Sequence, residues 1–207
     1  MTVEKDPIRT VQKYVVFFDI CSSTSILEDL IRSESQQLWR NLLVKMKIFL
    51  RREQNRSKFI IYKFIGDGWI LLFDESVTGK ELFSFLKLLC SEYEIIFNKI
   101  IKPVLSVKIG IVGLTFGVEK GSLIRIVMNS QIEYVGRALN VAARLQGSIK
   151  DKDYVPQGKV MVSNKAYEGL KEGIRISYKI YKVERNLRNI AGGERYQAKK
   201  VCLYTRP

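Results

Sequence analysis

The chain has 207 residues, and 35 lysines and arginines against 21 acidic residues give it a formal net charge of +14. It contains no histidine, which excludes Ser-His-Asp and Cys-His nucleophilic machinery and any histidine-ligated zinc site. Hydrophobic residues make up 46% and charged residues 27%, a balance typical of a folded globular protein. At this length we expect one domain over residues 13–207, preceded by an N-terminal segment over residues 1–12.

The cysteines and the apolar runs indicate the cellular compartment of the protein. Cys21, Cys90 and Cys202 are odd in number and form no CxxC pair, which argues against a disulfide framework and fits a reducing compartment. The longest apolar runs, such as Tyr14–Phe18 and Trp69–Phe73, are far shorter than the ~20 residues that a bilayer span needs. The N-terminus carries no apolar signal-peptide core. We therefore expect a soluble, cytoplasmic protein with no membrane partner.

The first third of the chain predicts a strand, a helix and a hairpin. Lys13–Ile20 is a short apolar run that predicts a buried strand. Ser22–Arg52 begins with N-cap residues and continues with apolar positions at helical spacing, which predicts one helix. Phe59–Phe64 and Trp69–Phe73 are rich in β-formers and flank the turn signal Gly66–Gly68, so they predict a β-hairpin.

The rest of the chain alternates helical and β-rich segments. In order, these predict a helix over Gly79–Ile101, a strand over Val104–Leu114, a second candidate strand over Ile124–Met128, a helix over Gly136–Ile149, and mixed β-structure over residues 150–207 with a short helix near Asn164–Glu172. The order strand–helix–hairpin–helix–strand predicts an α+β fold, an α/β sandwich. Its ferredoxin-like or palm-type βαββαβ core would carry helices on one face and extra C-terminal strands.

Two acidic residues are predicted to lie at the ends of neighbouring strands, at the same end of this sheet. Asp19 ends the first strand and Asp67 lies at the tip of the hairpin beside it. Paired carboxylates repel unless a cation lies between them, and hard oxygen ligands select Mg²⁺ or Mn²⁺. The residues after Asp19 and Ile20 lead into a predicted helix, and backbone amides at a helix N-terminus are a suitable site for phosphate oxygens. These phosphate-binding candidates are Cys21, Ser22, Ser23 and Thr24. The alternative for each acid alone is an ordinary cap or turn residue.

Three segments, in this order, resemble the catalytic domain of the class III nucleotidyl (adenylate and guanylate) cyclases. Phe17–Thr24 is similar to the first metal-aspartate motif and Lys63–Gly68 to the second. Tyr134–Leu145 is similar to the segment that carries an asparagine and an arginine at the reacting phosphate. Lys108–Ile111 resembles the strand between the last two motifs, so the resemblance spans about residues 13–148.

The resemblance implies a metal-dependent lyase. Asp19 and Asp67, with the carbonyl oxygen of Ile20, match the ligands of two Mg²⁺ or Mn²⁺ ions per site. Asn140 matches the residue that orients the ribose, and Arg144 matches the cation that neutralises the reacting phosphate. The family's homodimers are head-to-tail, so one copy would supply the aspartates and the other Asn140 and Arg144. A nucleoside triphosphate would become a 3′,5′-cyclic nucleotide plus pyrophosphate.

Lys63 and Glu133 fall at the family's base-selecting positions, and the adjacent Tyr62 and Tyr134 are candidates to narrow the base pocket. These base-binding candidates match neither the adenine nor the guanine pattern cleanly. The compact chain, its Gly-Asp-Gly-Trp hairpin and its Val-Gly-Arg-x-x-Asn-Val-Ala segment look more like the pyrimidine cyclases of Pycsar anti-phage systems. That resemblance implies conversion of UTP to cUMP, then of CTP to cCMP, and a downstream effector that senses the product. An adenylate cyclase making cAMP is the alternative.

Some residues depart from the family pattern. Ser22 stands where the family commonly has glycine, and Arg137 where it has an acidic residue or asparagine. The family's late phosphate-binding lysine has no clear match, and Lys199 and Lys200 are the candidates.

Two other classes of function compete with an active cyclase. A nucleic-acid-binding module would use the +14 charge, but the basic residues are scattered and no nucleic-acid motif is present, so we expect no nucleic-acid partner. A catalytically dead domain that only dimerises is disfavoured, because the acidic pair Asp19 and Asp67 and the pair Asn140 and Arg144 are all retained.

Overall fold

A computed structural model describes residues 8–153 and 155–204, in which one eight-stranded sheet is flanked by five α-helices. The strands are β1 (Arg9–Ile20), β2 (Phe59–Phe64), β3 (Gly68–Asp74), β4 (Leu114–Met128), β5 (Gln131–Val135), β6 (Lys159–Ser163), β7 (Lys179–Arg185) and β8 (Tyr196–Cys202). The helices are α1 (Ser23–Arg32), α2 (Gln36–Glu53), α3 (Gly79–Ile100), α4 (Arg137–Lys152) and α5 (Asn164–Leu170). The predicted α+β fold is confirmed.

The strands follow the order β2-β3-β1-β4-β6-β8-β7, and β5 forms a hairpin with β4. The pairing of β4 with β6 is parallel, and the other pairings are antiparallel. The central strand β1 is apolar on both sides because both faces of the sheet are covered. Val16 packs into the core formed with α1, α2, α3 and α5, whereas Val15 packs against Ala138 and Ala142 of α4. The prediction that all helices lie on one face is therefore wrong for α4.

The predicted long helix over Ser22–Arg52 is two helices in the structure. The first ends at Arg32, and the second begins at Gln36. Glu34 between them has a φ of +53°, and the Ser35 N–H donates to the Leu30 carbonyl oxygen at 2.7 Å. Serine hydroxyls offer the backbone alternatives to helical hydrogen bonds, which explains the break in this Ser-Glu-Ser sequence.

The predicted strand over Val104–Leu114 is wrong. A short 3₁₀ turn at Lys102–Val104 leads into an irregular stretch, residues 105–113, which we call the connecting segment. The Ser106 N–H in this segment donates at 2.8 Å to the carboxylate of Asp29, a buried residue of α1. Lys108–Ile111, which resembles a family strand, therefore lies in irregular structure held against the helices.

The strand after the connecting segment is longer than predicted. Gly113 has a φ of +144°, a left-handed conformation that turns the chain just before β4 begins at Leu114. The second candidate strand, Ile124–Met128, is the far end of this same strand. The hairpin partner β5 was not predicted at all.

The ends of the domain also differ from the predicted boundaries. The first strand begins at Arg9 rather than Lys13, and residues 1–7 of the expected N-terminal segment lie outside the described residues. The extra C-terminal strands are present as β6, β7 and β8. The short helix begins at Asn164 as predicted, where the Ser163 hydroxyl accepts a hydrogen bond from the Ala166 N–H at 3.0 Å. Over the described part of the chain, no helix has the length and apolar character that crossing a bilayer demands.

The close packing of α4 on the sheet depends on Gly117 of β4. A Cβ atom there would lie 2.0 Å from the Ala142 carbonyl oxygen and 2.6 Å from the Gln146 backbone nitrogen. Both are backbone atoms, so α4 would have to move away from the sheet. We expect Gly117→Ala to lower the free energy of unfolding by about 2–3 kcal/mol, measured by urea denaturation.

The matched control is Gly147, which lies within α4 itself. A Cβ atom at Gly147 would meet no heavy atom within 4 Å. Gly147→Ala should therefore raise the free energy of unfolding by about 0.5–1 kcal/mol, since alanine loses less conformational entropy than glycine in a helix. Equal stability of the two variants would contradict the close approach of α4 to Gly117.

Candidate functional site

The two acidic residues lie at the same end of neighbouring strands. In the antiparallel ladder of β1 and β3, Asp19 is opposite Gly68, the residue that follows Asp67. A Cβ atom on Gly68 would lie 1.9 Å from the Phe18 carbonyl oxygen, so glycine is required for this approach. Gly66, with a φ of +99°, makes the turn that precedes Asp67.

Neutral hydrogen-bond donors orient both carboxylates. The Ser23 hydroxyl, in the first turn of α1, donates to the Asp67 carboxylate. The Gln146 side-chain amide, on α4, donates to the Asp19 carboxylate at 3.3 Å and to the Thr115 hydroxyl at 2.8 Å. Since Ser23 carries no charge, its hydrogen bond fixes the Asp67 carboxylate in place without neutralising it.

Gln146 is a positioning residue that we did not predict from the sequence. It is only 5% exposed and lies one turn after Ala142 and two turns after Ala138, both of which are buried on the sheet-facing side of α4. The available signal was a polar residue on the apolar stripe of a helix, a pattern that indicates a buried hydrogen-bonding role.

The donor set fits a hard divalent cation. The described residues contain no cluster of three or more cysteine, aspartate or glutamate side chains, so the pair Asp19 and Asp67 is the acidic part of the candidate site. Mg²⁺ binds characteristically through one or two carboxylates and completes its shell with water and substrate phosphates. Ile20, the last residue of β1, is next to Asp19 and stays a candidate carbonyl ligand.

The turn between β1 and α1 differs in one respect from the predicted phosphate loop. The Cys21 N–H, predicted to bind phosphate, donates to the Gly113 carbonyl oxygen at 2.8 Å, so this amide already has an acceptor in the folded chain. Ser22 has a φ of +56°, in the region that favours glycine, and its hydroxyl donates to the Ile111 carbonyl oxygen at 2.8 Å. The amides of Ser23–Thr24 lie in the first turn of α1, where helix N–H groups have no intrahelical acceptor.

The four candidate base-binding residues form one cluster. The Tyr62 hydroxyl donates to Glu133 Oε2 at 2.7 Å and accepts the Tyr134 N–H at 3.1 Å. Lys63 Nζ donates to the same carboxylate oxygen at 3.1 Å. The rings of Tyr62 and Tyr134 meet edge to face, with centroids 5.3 Å apart.

The cluster has a defined charge state near neutral pH. The hydrogen bond from Tyr62, and next that from Lys63, hold the pKa of Glu133 below its usual range. The Glu133 hydrogen bond also raises the pKa of Lys63, and burial raises that of Tyr62. The cluster therefore presents an anionic acceptor, a cationic donor and a neutral hydroxyl.

Asn140 and Arg144 lie on the exposed side of α4, one helical turn or about 6 Å apart along the axis. Gln146, which contacts Asp19, is two positions after Arg144 and thus about 200° away around the helix. Asn140 and Arg144 therefore do not face Asp19 beneath the same helix. One copy of the chain does not bring the four groups together.

A basic cavity adjoins Arg144. It has a volume of about 530 Å³, and both Arg185 and Arg188 line it. The Arg185 side chain is 13% exposed and lies 3.6 Å from the Asp153 carboxylate, whereas Arg188 is exposed. Neither arginine was singled out from the sequence, because the loop after β7 reaches α4 only in the folded chain.

The two lysines proposed from the sequence do not line this cavity, although Lys200 pairs with the same carboxylate as Arg185. Lys200 forms an ion pair with Asp153, and Lys199 Nζ lies 5.6 Å from the centre of the Tyr167 ring on α5. Neither lysine lines the basic cavity beside Arg144. Arg188 is the exposed cation that the structure places there.

A second cavity, of about 490 Å³, adjoins Asn140. Tyr134 and Arg137 also line it, together with the loop over residues 189–191. The Arg137 guanidinium donates to the Ala191 carbonyl oxygen at 3.0 Å, so this departure from the family pattern ties the loop to the start of α4.

Solved structures of nucleotide cyclases share this architecture. A bacterial light-regulated adenylyl cyclase matches with a TM-score of 0.69 and 16% identity, over 98% of this chain and 54% of that chain. The adenylyl cyclase CyaB from P. aeruginosa matches with a TM-score of 0.71 and 16% identity, over 97% of this chain and 98% of that chain. The guanylate cyclase domain of RhGC from Catenaria anguillulae was solved in complex with GTP. It matches with a TM-score of 0.62 and 16% identity, over 96% of this chain and 100% of that chain.

The chain thus spans about half of the light-regulated enzyme and nearly the whole of the other two chains. No protein-family model matches the sequence, and no curated protein matches it. At 16% identity the likeness is one of fold. The chain therefore has the fold of the class III adenylyl and guanylyl cyclase catalytic domains.

Proposed function

We propose that this protein is a metal-dependent nucleotidyl cyclase, which converts a nucleoside triphosphate to a 3′,5′-cyclic nucleotide and pyrophosphate. The observation that carries the proposal is the pairing of Asp19 opposite Gly68, which brings Asp67 to the same end of the sheet. Two carboxylates beside a helix N-terminus suit a divalent cation and the phosphates it binds. The fold shared with adenylyl and guanylyl cyclases adds support.

The groups along α4 follow the order of the parts of a nucleoside triphosphate. The Lys63–Glu133 pair lies near the start of the helix, the cavity at Asn140 comes next, and Arg144 borders the basic cavity one turn later. A base, a ribose and a triphosphate are linked in that same order. This arrangement supports binding of the substrate along the outer side of α4, with Arg188 as a further phosphate contact.

Two copies of the chain are needed for the complete site. Asp19 lies under α4 of its own copy, where Gln146 contacts it, and Asp67 contacts Ser23 of α1. Asn140 and Arg144 are exposed on α4. A head-to-tail homodimer, as in the family that the sequence resembles, would place the Asn140 and Arg144 side chains of one copy over Asp19 and Asp67 of the other. A twofold axis then yields two identical composite sites.

Each residue of the proposed site has a distinct chemical role. Asp19 and Asp67 would hold a divalent metal, which would supply charge stabilisation for the attacking and leaving oxygens. Asn140 holds the ribose so that its 3′-hydroxyl points at the α-phosphorus, and this positioning contributes much of the rate because nucleophile and electrophile are already tethered. The Arg144 guanidinium donates to the phosphoryl oxygens, where negative charge grows in the transition state. The amides of Ser23–Thr24 bind phosphate oxygens at the helix N-terminus.

The base cluster supports a pyrimidine substrate. The edge-to-face rings of Tyr62 and Tyr134 narrow the space beside the Lys63–Glu133 pair, which favours a single-ring base. Glu133 would accept the N3–H of uracil while Lys63 donates to the adjacent carbonyl oxygen. UTP is therefore the proposed substrate and CTP the next, and the resemblance to Pycsar enzymes supports an effector that senses the cyclic product in anti-phage defence. An adenylate cyclase is the alternative.

Incubation of the purified dimer with each of the four nucleoside triphosphates and Mn²⁺ tests this function. We expect cUMP as the main product, then cCMP, each with pyrophosphate, detected by liquid chromatography and mass spectrometry. Dominance of cAMP would overturn the pyrimidine proposal and leave the cyclase proposal standing. A folded dimer that forms no cyclic nucleotide from any of the four would overturn both.

Glu133 provides a direct test of base recognition. Glu133→Gln keeps the shape of the side chain but removes the charge that Tyr62 and Lys63 both contact. We expect kcat/KM for UTP to fall by about 10–100-fold, mainly through KM, because charge-assisted hydrogen bonds are lost. Glu168→Gln, at a glutamate paired with Lys171 on the surface, is the matched control and should change nothing. An unchanged preference among the four substrates would refute the role of Glu133.

A further inference from the structure

The cavity of about 490 Å³ beside Asn140 has walls from two distant parts of the chain. One wall is the start of α4, and the other is the loop between β7 and β8, of which residues 189–191 line the cavity. The volume is in the range of cavities that enclose small ligands. Because Asn140 is the ribose contact of the proposed cyclase site, this loop is a second structure that borders the ribose.

The loop between β7 and β8 is held in place against α4. Its apolar residues Leu187 and Ile190 are buried in the same cluster as Val141 of α4. Within the loop, the Leu187 N–H donates to the Gly193 carbonyl oxygen at 2.7 Å, and the Gly193 N–H donates to the Ile190 carbonyl oxygen at 2.8 Å. The Arg137 guanidinium adds a hydrogen bond from α4 to the loop. A side chain on this loop therefore has a defined place relative to α4, as recognition of a substrate group requires.

Asn189 supplies the polar side chain of the loop wall, since Ile190 and Ala191 beside it are apolar. It is exposed and has a φ of +60°, a left-handed conformation that asparagine adopts more readily than most residues. Within the part of the chain that the structure describes, no residue hydrogen-bonds to the side-chain amide of Asn140 or of Asn189. Both amides are therefore available to a ligand in this cavity.

The chemistry of cyclisation does not by itself distinguish a ribonucleotide from a 2′-deoxyribonucleotide, since the attacking 3′-hydroxyl is present in both. A preference for ribose therefore requires a protein group that contacts the 2′-hydroxyl. The 2′- and 3′-hydroxyls are neighbours on one face of the ribose, so two amides that border one cavity can contact the two sides of this diol. A side-chain amide suits the 2′-hydroxyl because it can both donate to and accept from it.

We propose that Asn189 hydrogen-bonds to the ribose 2′-hydroxyl of the substrate and selects ribonucleoside triphosphates over their 2′-deoxy analogues. The inference deepens the proposed function and rests on it for the identity of the ligand, a nucleoside triphosphate whose ribose lies beside Asn140. Nucleotide analogues that cannot cyclise separate this contact from turnover.

Steady-state kinetics with UTP and dUTP measure the preference, or the pair with another base if the four-nucleotide test selects one. Asn189→Gly removes the amide and keeps the loop conformation, because glycine adopts a φ of +60° without strain. We expect the unaltered dimer to prefer UTP by about five- to tenfold in kcat/KM, the size of effect that one neutral hydrogen bond produces. Asn189→Gly should lower kcat/KM for UTP by the same factor and leave that for dUTP unchanged. An unaltered dimer without a preference, or a variant that loses both substrates equally, would overturn the inference.

The matched control is Asn129→Gly. Asn129 lies at the turn between β4 and β5, is exposed, and has a φ of +51°. It lines neither the cavity beside Asn140 nor the basic cavity beside Arg144. Its variant makes the same chemical change at the same kind of backbone position and should keep the preference for UTP. Loss of the preference in both variants would contradict a specific contact at Asn189.

Two nucleotides without a 3′-hydroxyl measure the contact independently of turnover. 3′-Deoxy-UTP and 2′,3′-dideoxy-UTP cannot cyclise, and they differ only in the 2′-hydroxyl. In calorimetry with Mn²⁺, we expect the unaltered dimer to bind 3′-deoxy-UTP about five- to tenfold more tightly than the dideoxy compound, and Asn189→Gly to bind both equally. Equal affinities in the unaltered dimer would overturn the contact even if cyclic nucleotides form. The expected affinities without any cyclic product would instead overturn the cyclase function and leave the contact standing.

Discussion

Asp67→Ala should reduce cyclic-nucleotide formation by at least about 10³-fold and leave a folded dimer. The Asp67 carboxylate accepts a hydrogen bond from the Ser23 hydroxyl and lies outside the apolar core, so its loss should remove the proposed metal ligand without opening a cavity in the core. A bound metal is worth several kcal/mol of charge stabilisation in such a transition state, and each 1.36 kcal/mol is a factor of ten in rate. Product formation from the preferred nucleotide with Mn²⁺ measures the effect.

The control for this experiment is Glu75→Ala. Glu75 is an exposed acid just after the other end of the same strand, outside the candidate site, so its variant should retain full activity and Mn²⁺ binding. Asp67→Ala should lose Mn²⁺ binding, which electron paramagnetic resonance detects independently of turnover. Unfolding of Asp67→Ala would indicate a structural role for the acid, and full activity would remove it from the mechanism.

Arg144→Ala should lower kcat by about 10²–10³-fold with a much smaller change in KM. The guanidinium would act where negative charge grows on the phosphoryl oxygens, so its contribution is larger in the transition state than in the bound substrate. Because Arg144 is exposed on α4, its replacement should leave the free energy of unfolding nearly unchanged. Steady-state kinetics with the preferred nucleotide separates the two constants.

Arg40→Ala is the matched control for the loss of one positive charge. Arg40 is exposed on α2, on the sheet face opposite α4, so its variant should keep the kinetics of the unaltered protein. An Arg144→Ala variant in which KM rises while kcat stays the same would show uniform binding rather than transition-state stabilisation. That result would contradict the role proposed for this guanidinium.

Local patterns in the sequence were enough to predict the core of the fold. The apolar run at the end of β1, the Gly-Asp-Gly turn and the two β-rich segments around it fix which strands are neighbours. That strand order already predicts that Asp19 and Asp67 lie at one end of the sheet. Asp19 is at the end of β1, and Asp67 comes just before the neighbouring antiparallel strand β3. Tyr62 of β2 and Tyr134 of β5 pack into the same apolar cluster beside α4, which brings Tyr62 to Glu133.

The connecting segment was mispredicted because its composition resembles that of a strand. Apolar residues alternate with other residues at Leu105, Val107, Ile109 and Ile111, as in a strand. The segment is nevertheless irregular, and Leu105, Ile109 and Val112 pack against the helical core. The contacts that hold them there are long-range, as with the Ser106 amide and the Asp29 carboxylate, and no local pattern reveals such a pair.

The residues proposed to support the acids and the phosphates were missed for the same reason. Gln146 contacts Asp19 across 127 positions of sequence, and Arg185 and Arg188 reach the cavity beside Arg144 from a loop after β7. Only the packing of α4 on the sheet brings these side chains together. The Cys21 amide was likewise taken for a free donor because its acceptor, Gly113, belongs to the segment whose path the sequence did not reveal.

A mixture of two inactive variants tests the composite site most directly. Asp67→Ala and Arg144→Ala are each expected to be inactive as homodimers, but a mixed dimer of the two would contain one site with Asp19, Asp67, Asn140 and Arg144 all intact. After random exchange of subunits we expect about a quarter of the original activity to return, since half of the dimers are mixed and each has one of its two sites intact. No recovery of activity from proven mixed dimers would contradict a site shared between two copies.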